Sequence, residues 1–176
     1  MRLEPLEPRH EDALWEVAQD ERTFRWFQNP VNESREAFHA WCEYVRAGWL
    51  PFVQVVDGVP LGSTSYGNVR EQDRVLEIGN TWLAPQAWGT GANTEAKLLL
   101  MEHAFEDEGF LRVEFKTNAA NERARAALAA LPAEFEGVFR KHMLVRDGER
   151  RDSAWYSVID DDWPAVKASL LRKLGR

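Results

Sequence analysis

The sequence predicts a single α/β domain with a mixed central sheet, and three observations support this prediction. The chain has 176 residues, of which 44% are apolar and 29% are charged, and these proportions are those of one globular domain with a sizeable core. The apolar residues alternate along some segments and follow helical spacing along others. A strand–helix–strand unit brackets residues 91–108, so its two strands are expected to run parallel.

The first fifty residues are expected to hold one short strand and two helices. Arg2–Leu6 is predicted to be the strand, and His10–Gln19 carries apolar residues at helical spacing. The segment 20–31 is expected to be irregular. A second helix follows, capped by Asn32 or Ser34 and ended by a glycine. Its buried stripe has the spacing i, i+3, i+4, i+7 and consists of Phe38, Trp41, Cys42 and Val45.

After Pro51 the pattern becomes that of a sheet. Asp57-Gly58 predicts a tight hairpin between strands at 52–56 and 60–66, and another strand is expected at 74–83. The remaining predicted elements are three helices, at 91–108, 121–131 and 162–174, and three strands, at 110–116, 135–145 and 153–159. The prediction is therefore about seven strands within one domain that covers residues 1–176.

Composition and charge exclude several classes of protein. The net charge of −7 argues against a general nucleic-acid binder, which needs a basic face. No apolar run reaches 18 residues and no signal peptide is recognised, so we expect a cytoplasmic protein with no membrane partner. The single cysteine, Cys42, excludes a disulfide framework, and His10, His39 and His103 lack metal-ligand spacing, so no metal is expected.

The most informative stretch is a predicted strand that runs into a glycine-containing turn, which in turn opens a helix. Gly89 and Gly91 allow backbone N–H groups to point inward without interference from a Cβ atom. The helix N-terminus adds unpaired donors and the positive end of the helix dipole, which together favour an anion. A tight turn without a ligand is the alternative. The stretch matches neither the dinucleotide fingerprint, which Thr94 interrupts, nor the P-loop, whose Gly-Lys-Ser/Thr is absent.

This stretch and its surroundings resemble the GNAT acetyltransferase superfamily, in particular its ribosomal-protein N-acetyltransferase (RimJ/RimL-like) branch. The resemblance covers nearly the whole chain. It rests on E-I-G-N-T-W-L at 77–83, W-G-T-G-A-N-T-E-A-K at 88–97, N-E-R-A-R-A-A-L at 121–128 and D-G-E-R-R-D-S-A-W-Y-S-V-I-D-D-D-W-P at 147–164. It implies a GNAT-like domain, in which helices flank a twisted mixed sheet with splayed central strands. It also implies acetyl-CoA as the cosubstrate and direct acetyl transfer to an amine in a ternary complex.

The resemblance leaves two registers open for the family's acetyl-CoA loop, Gln/Arg-x-x-Gly-x-Gly/Ala. Gln86-x-x-Gly89-x-Gly91 fits it literally. The segment 94–96 resembles the start of the family helix. If the alignment is fixed on this segment, Trp88, Gly91 and Asn93 occupy the three defined positions of the loop pattern instead. We favour the second register, because helix phase is harder to shift than a glycine. In either register, the residues expected to surround the pyrophosphate are Trp88, Gly89, Thr90, Gly91, Ala92 and Asn93.

The resemblance also implies the position of the pantetheine arm and of the catalytic base. Backbone groups of Trp82 and Leu83 are expected to bond the amides of the arm, and Asn121 looks like the family asparagine that contacts it. Glu77 is the first candidate for the general base, acting directly or through water. A solvated strand glutamate is the alternative for Glu77.

The general acid is left unassigned. Ala124 stands where the RimJ/RimL-like pattern has a serine, and Ala127–Leu131, later on the same helix, offer no tyrosine of the kind that other branches of the family carry there. Tyr156 is a candidate substitute, with a core tyrosine as the alternative. His142 is a candidate for contact with substrate or for proton transfer, with a hydrogen-bonded structural histidine as the alternative.

Four aromatic residues are expected to line part of the acceptor cleft, with plain core packing as the alternative: Phe24, Trp26, Phe27 and Trp49. The acceptor implied is a protein N-terminus or a small amine, with no nucleic acid, and a homodimer stays open. Two other functions remain as alternatives. One is a non-catalytic acyl-CoA-binding or regulatory module of the same fold, and the other is an interaction protein whose surface tryptophans bind a partner.

Overall fold

A computed structural model describes the backbone of residues 1–176 and every side chain except that of Asp147. Its seven strands form one mixed sheet in the order β1-β2-β3-β4-β5-β7-β6. The strands are β1 (Arg2–Pro5), β2 (Leu50–Val56), β3 (Val59–Arg70), β4 (Val75–Leu83), β5 (Arg112–Asn118), β6 (Glu134–Leu144) and β7 (Arg150–Ile159). The predicted α/β class and the number of strands are confirmed.

Six α-helices flank the sheet. They are α1 (Glu11–Val17), α2 (Glu21–Phe24), α3 (Arg35–Gly48), α4 (Ala92–Glu102), α5 (Glu122–Ala130) and α6 (Trp163–Lys173). A π-helical turn, His103–Asp107, extends α4. The chain divides into two compact units, the first made of Met1–Gly67 with Ile78–Ala96 and the second of Asn68–Glu77 with Lys97–Arg176.

The first unit is built around an aromatic core under α3. Ser34 caps this helix, since its Oγ accepts from the backbone N–H of Ala37 at 3.1 Å, which settles the choice left open with Asn32. The predicted stripe of α3 is buried against Phe24 and Trp82. Burial also raises the pKa of the Cys42 thiol to about 12, so this cysteine is an unreactive core residue.

The hairpin between β2 and β3 turns where the sequence predicts it. Asp57 and Gly58 both have positive φ, at 50° and 84°, which is the backbone of a type I′ turn. Strand β3 continues to Arg70, beyond the end predicted at residue 66.

The second unit contains a parallel ladder. It pairs Val75–Glu77 of β4 with Arg112–Glu114 of β5, and both strands run on beyond these three residues. Strand β7 pairs antiparallel with β5 and β6, and a long bulge in β6 interrupts the second ladder between Phe139 and Met143.

Three local expectations are wrong. The segment expected to be irregular holds α2, because Asp20 accepts from the N–H of Arg22 at 2.9 Å and caps a single helical turn. Strand β5 begins two residues later than predicted, at Arg112. The predicted helix over 91–108 is π-helical in its last turn, a variation that hydrophobic periodicity does not reveal.

Candidate active site

The glycine loop in the first unit joins the end of β4 to the start of α4. A short 3₁₀ turn, Pro85–Ala87, follows the strand, and α4 begins at Ala92. Between them, Gly89 and Gly91 adopt φ values of 75° and 87°. These values lie in the left-handed region that favours glycine, so both glycines are required by the path of the loop.

Side chains of the loop hold it in this conformation. The indole Nε1 of Trp88 donates to the carbonyl of Leu83 at 2.8 Å, and the Thr90 hydroxyl donates to the carbonyl of Ala87 at 2.8 Å. The guanidinium of Arg22 lies over the Trp88 ring, 5.2 Å from its centroid. These contacts therefore preorganise the loop.

The loop suits a phosphate-bearing ligand. The first N–H groups of a helix have no intrahelical acceptor, and the helix dipole places partial positive charge there. No Asp or Glu occurs between residues 84 and 94, so no carboxylate of the loop opposes an anion. Gln86, Thr90 and Ala92 line an open cavity of about 470 Å³ on the first unit, but Asp57 and Glu95 also line it. It is therefore the backbone N–H groups of the loop, and not this cavity, that fit the pyrophosphate of acetyl-CoA.

Backbone carbonyls at the end of β4 accept hydrogen bonds from side chains of the protein itself, which the sequence does not reveal. The carbonyl of Trp82 accepts from Gln54 Nε2 at 3.3 Å, and that of Leu83 accepts from Trp88, as described above. Each of these two carbonyls therefore already accepts one side-chain hydrogen bond. The Trp82 side chain itself lies in the aromatic core, so only its backbone is available to a ligand.

Glu77, the candidate base, is a buried residue of the second unit. Its side chain is 2% exposed, and Oε2 accepts from Lys116 Nζ at 2.7 Å and from Asn68 Nδ2 at 2.6 Å. Asn68 reaches it from a left-handed backbone conformation, φ 47°. Glu77 is therefore a fixed, paired carboxylate and is not a solvated strand residue.

His142 and Arg151 lie in the same electrostatic environment as Glu77. Burial lowers the pKa of His142, and the charges of Lys116 and Arg151 lower it further, whereas Glu77 raises it. His142 Nδ1 lies 3.0 Å from Ser153 Oγ, and its ring packs edge-on against Trp155. Because its pKa is lowered, His142 is a neutral imidazole near pH 7, and it is held by a hydrogen bond.

Tyr156 and Asn121 both have structural partners. Tyr156 is buried, and its hydroxyl accepts from Arg125 Nε at 3.1 Å. It follows Trp155 on β7 and so points to the other face of the strand. Asn121 caps α5, since its Oδ1 accepts from the N–H of Ala124 at 3.1 Å. The cap uses Oδ1 and not the amide nitrogen.

The four aromatic residues proposed for the acceptor cleft differ in exposure. Phe24 is fully buried in the aromatic core, a position that fits packing better than contact with a substrate. Phe27 is half-buried against it, with ring centroids 5.0 Å apart. Trp26 is half-buried beneath the guanidinium of Arg25. Trp49 lies flat on Gly67, where an added Cβ would come within 2.1 Å of the indole.

The described residues contain no group of three or more His, Cys, Asp or Glu placed to hold a metal ion. None of the described helices is both long enough and apolar enough to cross a bilayer.

The family model of the acetyltransferase (GNAT) domain matches residues 1–133, most of the chain. The chain belongs to the GNAT family. GNAT enzymes use acetyl-CoA and act on amine acceptors, and this chain is accordingly an N-acetyltransferase. No curated protein sequence matches this GNAT chain significantly.

Solved structures extend the GNAT likeness to the whole chain. A protein of T. thermophilus, whose acetyltransferase assignment is itself provisional, is 38% identical with a TM-score of 0.92, covering 98% of this chain and 93% of its own. A GCN5-related N-acetyltransferase from Brucella melitensis is 31% identical with a TM-score of 0.91, covering 97% and 80%. Mycobacterium smegmatis RimJ, solved in complex with CoA-disulfide, is 27% identical with a TM-score of 0.83, covering 99% and 88%.

Four polar side chains of this GNAT site were not identified from the sequence: Asn68, Lys116, Arg151 and Trp155. The strand R-V-E-F-K-T-N carries one available signal, because Glu114 and Lys116 alternate with buried apolar residues and so share a face. The parallel register that sets Glu77 opposite Glu114 then brings Lys116 to Glu77. That register is determined by the tertiary structure, so the sequence alone does not reveal that Lys116 lies beside Glu77.

Proposed function

We propose that this GNAT enzyme transfers the acetyl group of acetyl-CoA directly to a protein N-terminus or a small amine, as in the RimJ/RimL-like branch. We further propose that residues 1–176 act as one domain and that the enzyme works in the cytoplasm. The observation that supports the reaction is on a single strand. β4 carries the buried, paired carboxylate of Glu77 as its third residue and leads into the preorganised glycine loop.

The loop and Asn121 are assigned to the cosubstrate. Acetyl-CoA, when bound, supplies the thioester that the amine attacks. Backbone N–H groups from Trp88 to Asn93 and the N-terminus of α4 bind its pyrophosphate. The backbone of Trp82 and Leu83 and the Nδ2 of Asn121 hold the pantetheine arm. RimJ of M. smegmatis, which was solved with CoA-disulfide, supports this use of the fold.

Glu77 is assigned to proton removal. An acceptor amine is mostly protonated near neutral pH and must lose a proton before it can attack. The Glu77 carboxylate takes that proton directly or through one water, and Lys116 and Asn68 hold its Oε2 in place. Fixing the base in this way reduces the reorganisation needed during the reaction.

The proton for the leaving thiolate has no dedicated donor in this assignment. Tyr156 is bonded to Arg125 and buried, and His142, with its lowered pKa, is mostly neutral near pH 7. A thiol is a good leaving group, and solvent suffices to protonate the thiolate. Tyr156 and His142 therefore stay as weaker candidates, and Phe24, Trp26, Phe27 and Trp49 as candidates for the acceptor cleft.

Calorimetry with acetyl-CoA and a thiol-release assay over small amines and peptides with free N-termini test the proposal. Glu77→Gln should lower kcat by about 100-fold or more on every accepted amine, the usual contribution of a general base. Its acetyl-CoA affinity should be unchanged. Glu134→Gln removes an exposed strand glutamate as the matched control and should leave both quantities unchanged.

Two outcomes contradict the proposal. Tight acetyl-CoA binding without turnover on any acceptor, unaffected by Glu77→Gln, indicates a non-catalytic acyl-CoA-binding module. The absence of acetyl-CoA binding excludes the assignment of the glycine loop.

A further inference from the structure

The polar cluster around Glu77 carries more positive than negative charge. Lys116 is paired with Glu77 at 2.7 Å, and Arg151 interacts electrostatically with the same carboxylate. One buried carboxylate thus interacts with two cationic side chains. This local excess of positive charge contrasts with the net charge of −7 for the whole chain.

Neighbouring groups do not cancel the excess. His142 is mostly neutral near pH 7, because burial and the two cations lower its pKa. Glu114 is paired with Arg70 and Arg112, and Arg112 is also paired with Glu136. These two carboxylates are therefore already matched by two guanidinium groups.

Two donors in the cluster lack partners. Arg151 Nε and Trp155 Nε1 are both shielded from solvent and have no hydrogen-bond partner among the described residues. Burial lowers the pKa of Arg151 below its ordinary value, with Glu77 as the opposing charge. Buried N–H groups are nearly always paired, so two unpaired ones beside an unmatched cation indicate a missing acceptor.

The two donors share one face of β7 with Lys116. Residues 151 and 155 are an even number of positions apart, and Trp155 lies directly opposite Lys116 in the antiparallel ladder. Lys116 Nζ is 5.4 Å from the centroid of the Trp155 ring. A ligand group that reaches Glu77 and Lys116 is thus on the face that presents both unpaired donors.

We propose that the acetyl acceptor carries a carboxylate or a similar oxyanion beside its reacting amine, and that Arg151 and the Trp155 indole N–H bind it. This inference rests on the proposed function, since it is the approach of the amine to Glu77 that brings the rest of the acceptor to these donors. The substrate class is then an amino acid or a peptide with an acidic residue near its N-terminus.

Matched acceptor pairs test this inference. One pair is a free amino acid and its amide, and the other is a peptide with Glu in the second position and its Gln twin. The wild type should prefer the charged member of at least one pair by about 10- to 100-fold in kcat/KM, the value of a charge-assisted hydrogen bond. The pair that responds distinguishes an α-carboxylate from a side-chain carboxylate.

Three variants assign the preference to residues. Arg151→Gln should abolish it, and Trp155→Phe should reduce it while keeping an aromatic ring at that position. Arg150→Gln, the matched control, removes the exposed neighbouring arginine and should preserve it. Thermal unfolding of each variant verifies that a lost preference does not reflect a lost fold.

Failure of the inference is separable from failure of the proposed function. Efficient acetylation with no preference in either pair, or a preference that persists in Arg151→Gln, overturns the inference and leaves the function intact. If no acceptor is acetylated, calorimetry with an N-acetyl amino acid and its amide decides the matter. Arg151-dependent binding of the acid alone then supports the oxyanion site, and equal binding of both ligands overturns it.

Discussion

The ion pair between Glu77 and Lys116 affects both the stability of the protein and the proposed role of Glu77 as the general base. A buried ion pair contributes little more to the free energy of unfolding than an apolar pair would. The loss of one partner is costly, however, because it leaves an uncompensated buried charge. Lys116→Met should therefore destabilise the protein by about 3 kcal/mol in urea unfolding, the lower end of the usual cost, because Arg151 still interacts with the carboxylate.

The double variant Glu77→Gln/Lys116→Met distinguishes this explanation from simple packing loss. Removing both charges removes the uncompensated one, so the double variant should be more stable than Lys116→Met alone. If the loss of unfolding free energy in the double variant equals the sum of the losses in the two single variants, the two side chains are not coupled in stability.

At the scale of elements, the loop needs glycine at position 89 because its backbone is left-handed there, and not because a larger side chain would clash. An added Cβ at Gly89 meets no atom within 4 Å, yet φ is 75°. Gly148 in the turn between β6 and β7 has almost the same φ, 74°, and equally open surroundings. Replacing either glycine by alanine should cost about 1 kcal/mol of stability, because the strain is the same.

The two alanine variants should differ in function. Gly89→Ala should weaken acetyl-CoA binding by about 10-fold or more, because relief of the strain moves the amides that hold the pyrophosphate. Gly148→Ala should bind acetyl-CoA as the wild type does, and calorimetry measures both. Equal affinities in the two variants would exclude the loop as the pyrophosphate site.

Over the whole molecule, two histidines give stability opposite dependences on pH. A hydrogen bond to Glu11 raises the pKa of His39, so this contact stabilises the fold below about pH 6.5 and is lost as the pH rises through the raised pKa. Burial lowers the pKa of His142. Its effect is the reverse, since stability is lost as the pH falls below about 6.5 towards the lowered pKa.

Urea unfolding at pH 5.5, 7.0 and 8.5 separates the two effects. The stability advantage of the wild type over His39→Gln should be greatest at pH 5.5 and should shrink as the pH rises. The difference between the wild type and His142→Gln should change in the opposite direction. Parallel pH profiles for the two variants would contradict both assignments.

Much of the fold follows from local sequence because its signals are local. The stripe of α3, the Asp57-Gly58 turn and the seven strands depend on side-chain periodicity and on turn chemistry within a few residues. The short helix α2 was missed because one capped turn has no periodicity to detect. The start of β5 shifted because a strand boundary depends on its partners.

The sequence by itself determined the α/β class, the order of the strands along the chain, the glycine loop and, through family resemblance, acetyl transfer. These features depend on contiguous residues. Only the tertiary structure decided that Lys116 neutralises Glu77, that Phe24 is buried in the core, and that Arg151 and Trp155 have unpaired donors. Each of these depends on strand register and packing between distant segments, because a shift of one residue turns a strand side chain to the other face.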